Sequence, residues 1–182
     1  MTTAVRTFSY GLLGLPLAFA ALPIYVHVPR FYAEVAGMEL ALLGAILLGT
    51  RLLDAGIDPW LGWLADRVPR PTMVALALVP FAAGFVALLN PPVDHAALWL
   101  AGSLVLTYLG FSAASVAYQA WGADVGSTSA QRTRLTAARE GFGLVGVVLA
   151  AALPALLASD LSEGIRRLSW VLPPLLLIAA AT

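Results

Sequence analysis

The sequence predicts an all-α, polytopic membrane helix bundle of about six transmembrane helices, and three observations predict it. Of 182 residues, 60% are hydrophobic and 11% charged, with mean hydropathy +0.89; soluble domains carry about 25% charged residues. Apolar segments recur at the length of roughly 20 residues that crosses a bilayer as a helix. Short polar or proline-bearing connectors separate them. Residues 1–182 therefore read as one domain, a six-helix transmembrane bundle whose sixth span is truncated at the C-terminus.

The first span is expected over residues 8–28. Its apolar stretch exceeds the roughly 7–15 residues of a signal-peptide core, and no small-x-small site follows it, so it reads as a span. The second is expected over 38–64, the third over 72–89, the fourth over 96–121 and the fifth over 141–158. A sixth begins near Leu168 and is still apolar at Thr182. The expected connectors are 30–34, 66–71, 90–95, 124–134 and 159–167. Glycine and proline are frequent inside the spans, where small residues let helices approach closely and neighbours re-satisfy a proline-broken backbone. Gly44 and Gly49 are expected to form a close-packed face on the second span, and Gly110, Ala113, Ala114 and Ala117 one on the fourth.

Arginine placement predicts orientation. With alternating spans, Arg6, Arg67, Arg70, Arg132, Arg134 and Arg139 fall on one side and Arg30, Arg166 and Arg167 on the other. The positive-inside rule then puts the N-terminus in the cytoplasm of a protein integral to the inner (plasma) membrane.

The formal net charge of zero offers no basic footprint for nucleic acid. There are no cysteines, which removes disulfides and thiolate chemistry, and no His/Cys/acid cluster has metal-ligand spacing. All ten basic residues are arginine. Without lysine there is no phosphate-binding Gly-x-x-x-x-Gly-Lys-Ser/Thr loop, and ATP-driven transport by this chain alone is excluded.

The sharpest signal is Arg51-Leu52-Leu53-Asp54-Ala55-Gly56-Ile57-Asp58-Pro59. Residues three and four apart are helix neighbours, so Arg51, Asp54 and Asp58 share one stripe. Each charge at mid-bilayer costs about 2.5–3.5 kcal/mol on insertion scales, so the cluster faces protein or a wet cavity. Two readings stay open. Asp54 and Asp58 bind a cation, Na⁺ or H⁺, with Arg51 balancing charge; or Arg51 and Asp54 form an internal salt bridge that pins the span. Because both aspartates share one helix, they do not suit intramembrane proteolysis, which needs two acids on different spans. No enzyme is expected. Immediately downstream, Gly62, Asp66, Arg67 and Arg70 mark a cytoplasmic turn between the second and third spans.

On these residues the chain resembles the major facilitator superfamily, whose loop between spans two and three carries a Gly-x-x-x-Asp-Arg-x-Gly-Arg-type motif; Pro69 stands where glycine is usual. The stretch from Arg51 to Gly62 is similar to the Arg-x-x-Asp-Ala-x-x-Asp-Pro-x-x-Gly signature of the glycoside–pentoside–hexuronide:cation symporters, the melibiose-permease-like group. Ser115-Val116-Ala117-Tyr118 and Arg139-Glu140-Gly141 resemble that group's fourth and fifth spans. The resemblance implies the N-terminal half of a twelve-span carrier. It places the coupling cation on Asp54 and Asp58 and a solute beside Arg139. Tyr118, Gln119 and Trp121 are the other expected solute contacts, with interfacial anchoring as their alternative. No acid stands in the first span and Ser115 occupies the region of a fourth-span acid, so the substrate class is open.

The expectation is a cation-coupled symporter of a small polar, sugar-like solute, present as its N-terminal half, with no cofactor beyond Na⁺ or H⁺. Its partners would be the lipid bilayer, the solute, and a C-terminal half or second protomer. The alternative is a non-transporting membrane scaffold or partner subunit.

Overall fold

The computed structural model describes residues 3–92 and 94–181. The first span, Arg6–Glu34, is built from α1 (Thr3–Leu12), α2 (Gly14–Leu22), a π-helical turn (Pro23–His27) and α3 (Val28–Glu34). The second is α4 (Leu40–Ala65), the third α5 (Arg70–Leu88), the fourth α6 (Ala96–Val125) and the fifth α7 (Ser129–Leu157). The sixth joins α8 (Leu161–Ser169) to α9 (Leu172–Ala181). Among the described residues, six helical stretches are thus long and apolar enough to cross a membrane, as the composition predicts.

Three expected connectors are wholly or partly helical instead, because their charges are satisfied at helix ends. Arg30 pairs with Glu34 at 2.9 Å, one turn on, which carries the first span through 30–34. The fifth span begins at Ser129 rather than Gly141; Thr128 accepts the Gln131 backbone N–H at 3.2 Å and caps it. The sixth begins at Leu161 rather than Leu168, with Asp160 accepting the Glu163 N–H at 3.0 Å. Arg167 there pairs with Glu163 at 2.9 Å and donates to the Leu157 carbonyl at 2.9 Å. That covers an α7 carbonyl that would otherwise lack a partner at a helix end.

Helix α6 is the hub, flanked by α5 and α4, while α7 packs on α1, α2 and α8. At the α5–α6 crossing, a Cβ added to Gly110 would collide with the Phe81 backbone. Ala113, Ala114 and Ala117 are buried beside it, as expected of a close-packed fourth-span face. The expected face on the second span is not formed: nothing lies within 4 Å of a Cβ built on Gly44 or Gly49. Those glycines lie on the part of α4 turned away from the bundle.

Carbonyls at the C-terminal end of α5 are closed by three other segments. Tyr32 donates to Leu88 O at 2.9 Å, Trp99 Nε1 to Ala87 O at 2.7 Å, and Asn90 Nδ2 to Val86 O at 2.8 Å. Orphan carbonyls cost several kcal/mol each in a bilayer, so these bonds let the third span end near the apolar layer.

Candidate functional site

Asp54 is the buried member of the second-span cluster, only 8% exposed. Both carboxylate oxygens are engaged: Oδ1 accepts from Ser112 Oγ at 2.8 Å, and Oδ2 from Arg51 Nη1 at 3.2 Å. The Ser112 bond links the second span to the fourth. Arg51 lies 4.9 Å from the ring centroids of both Tyr25 and Tyr108 and also donates to the Tyr25 hydroxyl. Tyr25 belongs to the π-helical turn of the first span, a feature common at functional sites. Three spans therefore converge on one ion pair.

Asp58, one turn along α4, is exposed. Beside Asp54 lies a cavity of about 10 Å³ bordered by Thr50, Ile57 and Tyr108, room for about one water. The triad holds two carboxylates against one guanidinium, an excess of one negative charge that a single monovalent cation would neutralise. The ion pair of the alternative reading is present, and the uncompensated carboxylate is present as well.

A second cavity of about 200 Å³ lies between the first, fourth and fifth spans. Ser115, Tyr118, Gln119, Arg139 and Glu140 line it. Arg139 Nη2 donates to Glu140 Oε1 at 2.6 Å. The place of Arg139 depends on Gly14: a Cβ there would lie 2.6 Å from the Arg139 carbonyl oxygen and 3.0 Å from its Cγ. Tyr118 is 1% exposed and its hydroxyl donates inward to the Tyr10 carbonyl at 2.5 Å, while the Tyr10 hydroxyl donates back to the Tyr118 carbonyl at 3.2 Å. Their rings stack at 4.5 Å. Tyr118 borders the cavity with its hydroxyl already used. Trp121 is not with this group; it packs near the Tyr10 ring and lines a different cavity with Arg6.

In the loop motif, Arg70 ties two elements. It donates to Asp66 Oδ1 at 3.0 Å and to Asp124 Oδ2 at 3.3 Å, joining the turn after α4 to the end of α6. Arg67 stacks 3.5 Å over the Trp63 ring. Gly62 has nothing within 4 Å of an added Cβ, so its role here is not close packing.

Nothing local in the sequence attaches Ser112, Tyr25 and Tyr108 to Arg51 and Asp54, because they belong to other spans. Tyr10 was not singled out, and no local signal marks it, because its partner is 108 positions away.

Residues 7–178 match the family described as MFS/sugar transport protein. Two curated relatives are each 27% identical to the chain. One is the uncharacterized symporter YnaJ of Bacillus subtilis, aligned over 180 residues, 91% of this chain and 37% of the relative. The other is the uncharacterized symporter sll1374 of Synechocystis, aligned over 170 residues, 85% of this chain and 31% of the relative. The chain thus spans about a third of either relative's length.

Proposed function

Because this chain belongs to the MFS/sugar transport protein family, we propose that it forms the N-terminal half of a cation-coupled carrier for a small polar solute. The observation that carries the reading is the buried Asp54 carboxylate. It is oriented by Ser112 and Arg51, adjoins a one-water cavity, and has a second carboxylate one turn away. That arrangement offers hard oxygen ligands and one uncompensated negative charge, which suit Na⁺ or a transferable proton. Arg51 keeps the pair of acids from carrying their full mutual repulsion.

The solute would sit beside Arg139, Gln119 and Ser115. A guanidinium and an amide supply directional donors for hydroxyl or carboxylate groups. About 200 Å³ is below the roughly 300–1,000 Å³ of a complete small-molecule site, so a second bundle would supply the remaining wall. Whole apolar faces of α4 and α7 point outward, with Leu52 65% and Leu144 66% exposed; lipid and that second bundle would cover them. Alternating access would then rock the two halves about a site at their interface. The N-terminus and the Arg67–Arg70 turn would be cytoplasmic in the inner membrane, following the arginine excess.

The test is Na⁺ and H⁺ binding by the purified full-length protein and by its Asp54→Asn and Asp58→Asn variants. Saturable binding, or proton release, that is lost in both variants with the fold intact supports the reading. A folded wild type that binds neither ion leaves Arg51–Asp54 as a structural latch and favours the scaffold reading.

A further inference from the structure

Two cavities away from the solute site meet at one end of the bundle. The first, about 280 Å³, is bordered by Tyr10, Leu13, Val74, Ala75 and Trp121, with Arg6 at its edge. Its wall is mainly hydrocarbon. The second, about 170 Å³, is bordered by Arg6, Thr7, Ser127, Gln131 and Arg134. Its wall is mainly donors. Arg6 and Val125 belong to both walls, so the apolar and the cationic spaces adjoin.

The lining residues lie at the same end of their spans, with Ser127 in the turn between the fourth and fifth. Arg6 opens the first span, Pro71 lies in the opening turn of the third, Val125 closes the fourth, Gln131 follows the start of the fifth, and Ala180 is near the end of the sixth. The cavities are therefore at one membrane face, where hydrocarbon gives way to headgroups. Among the described residues neither wall contains a carboxylate, and neither Arg6 nor Arg134 has an ion-pair partner. Two guanidiniums facing one space, unbalanced, call for an anion; a greasy cavity beside them calls for a chain.

We propose that this end of the bundle holds one anionic phospholipid, its phosphate between Arg6 and Arg134 and an acyl chain against Leu13, Val74, Ala75 and Trp121. A free anion would leave the apolar cavity unused, and a neutral lipid would leave the guanidiniums uncompensated. The site is independent of the solute reading, since it shares no residue with Asp54, Asp58, Arg139 or Gln119. It would fasten the ends of five spans through one headgroup.

The experiment is intact-protein mass spectrometry of the full-length protein in mild detergent. The probes are a phosphatidylglycerol, the phosphatidylcholine with the same acyl chains, and inorganic phosphate. One phosphatidylglycerol is expected to stay bound through conditions that strip phosphatidylcholine, and inorganic phosphate is expected not to displace it. Each basic residue near a membrane surface contributes about 1 kcal/mol of attraction, roughly fivefold. Arg6→Gln with Arg134→Gln should therefore weaken retention about thirtyfold, whereas Arg30→Gln at the opposite end should leave it unchanged. Ala75→Phe, which fills the apolar space from an exposed position, should weaken the lipid with both guanidiniums in place. Equal retention of phosphatidylcholine, displacement by phosphate, no bound lipid in the full chain, or indifference to these variants would overturn the proposal.

Discussion

Ser112 in the fourth span donates a 2.8 Å hydrogen bond to Oδ1 of Asp54 in the second, across 58 positions of sequence. The bond orients the one buried carboxylate of the cluster and leaves its other oxygen to Arg51. A hydroxyl on a neighbouring helix thus decides which way the acid points, and that direction is into the bundle.

Ser112→Ala removes this donor and leaves a buried charge short of one partner. The expected cost is about 1–2 kcal/mol, between values for bonds to charged groups and the smaller ones measured inside membranes. A lowered melting temperature of the purified protein, with cation affinity weakened but not abolished, is the expected outcome. An unchanged cation affinity would show that Ser112 serves packing alone.

Arg51→Lys keeps the positive charge and discards the guanidinium fork that reaches Asp54 and the Tyr25 hydroxyl together while lying over the Tyr25 and Tyr108 rings. Cation–π contacts contribute about 0.5–1 kcal/mol at exposed sites and more when desolvated. With two such contacts at 4.9 Å, a loss of about 1 kcal/mol in stability is expected. Thermal unfolding in detergent measures it. Cation binding should survive, because the charge balance of the triad is unchanged.

Gly14→Ala puts a methyl group against the Arg139 backbone. Overpacking of this kind costs about 1–3 kcal/mol, and here it also displaces a residue of the cavity proposed for the solute. Melting temperature and solute affinity should fall together. Gly102→Ala is the control, since nothing lies within 4 Å of its added Cβ; helix propensity alone makes it neutral or stabilising by up to about 1 kcal/mol.

Tyr118→Phe separates the bundle role of this tyrosine from a solute role. The hydroxyl bond to the Tyr10 carbonyl disappears while the ring stack at 4.5 Å stays. A stability loss of about 0.5–1.5 kcal/mol is expected, with solute affinity changed by less than about twofold, since RT ln 2 is only a few tenths of a kcal/mol. Isothermal titration alongside thermal unfolding distinguishes the two effects. A large loss of solute affinity with stability preserved would put the hydroxyl on the solute instead.

The parts of this protein that were legible in sequence are those set by short-range rules. Apolar length against bilayer thickness located six spans, and it failed at 30–34, 129–140 and 161–167, where charged residues continue a helix by pairing one turn apart or by capping its end. The i, i+3 spacing anticipated the Arg51–Asp54 pair. The same spacing left Asp58 level with Asp54, although the structure buries one and exposes the other. Trp121 stood beside Gln119 in sequence and lines another cavity, because on a helix two positions is half a turn and more.

The sequence by itself determined the all-α membrane class, the number and order of the spans, and the cluster of charges on the second, since hydropathy and helical spacing are properties of a local stretch. Only the tertiary structure decided that Asp54 meets Ser112 and that Arg51 lies between Tyr25 and Tyr108. It also decided that Arg70 reaches Asp124 and that Tyr10 and Tyr118 clasp. Each of those contacts depends on which helices are neighbours and how each is rotated about its axis. In a bundle, small residues such as Gly14 and Gly110 set both by allowing particular backbones to touch.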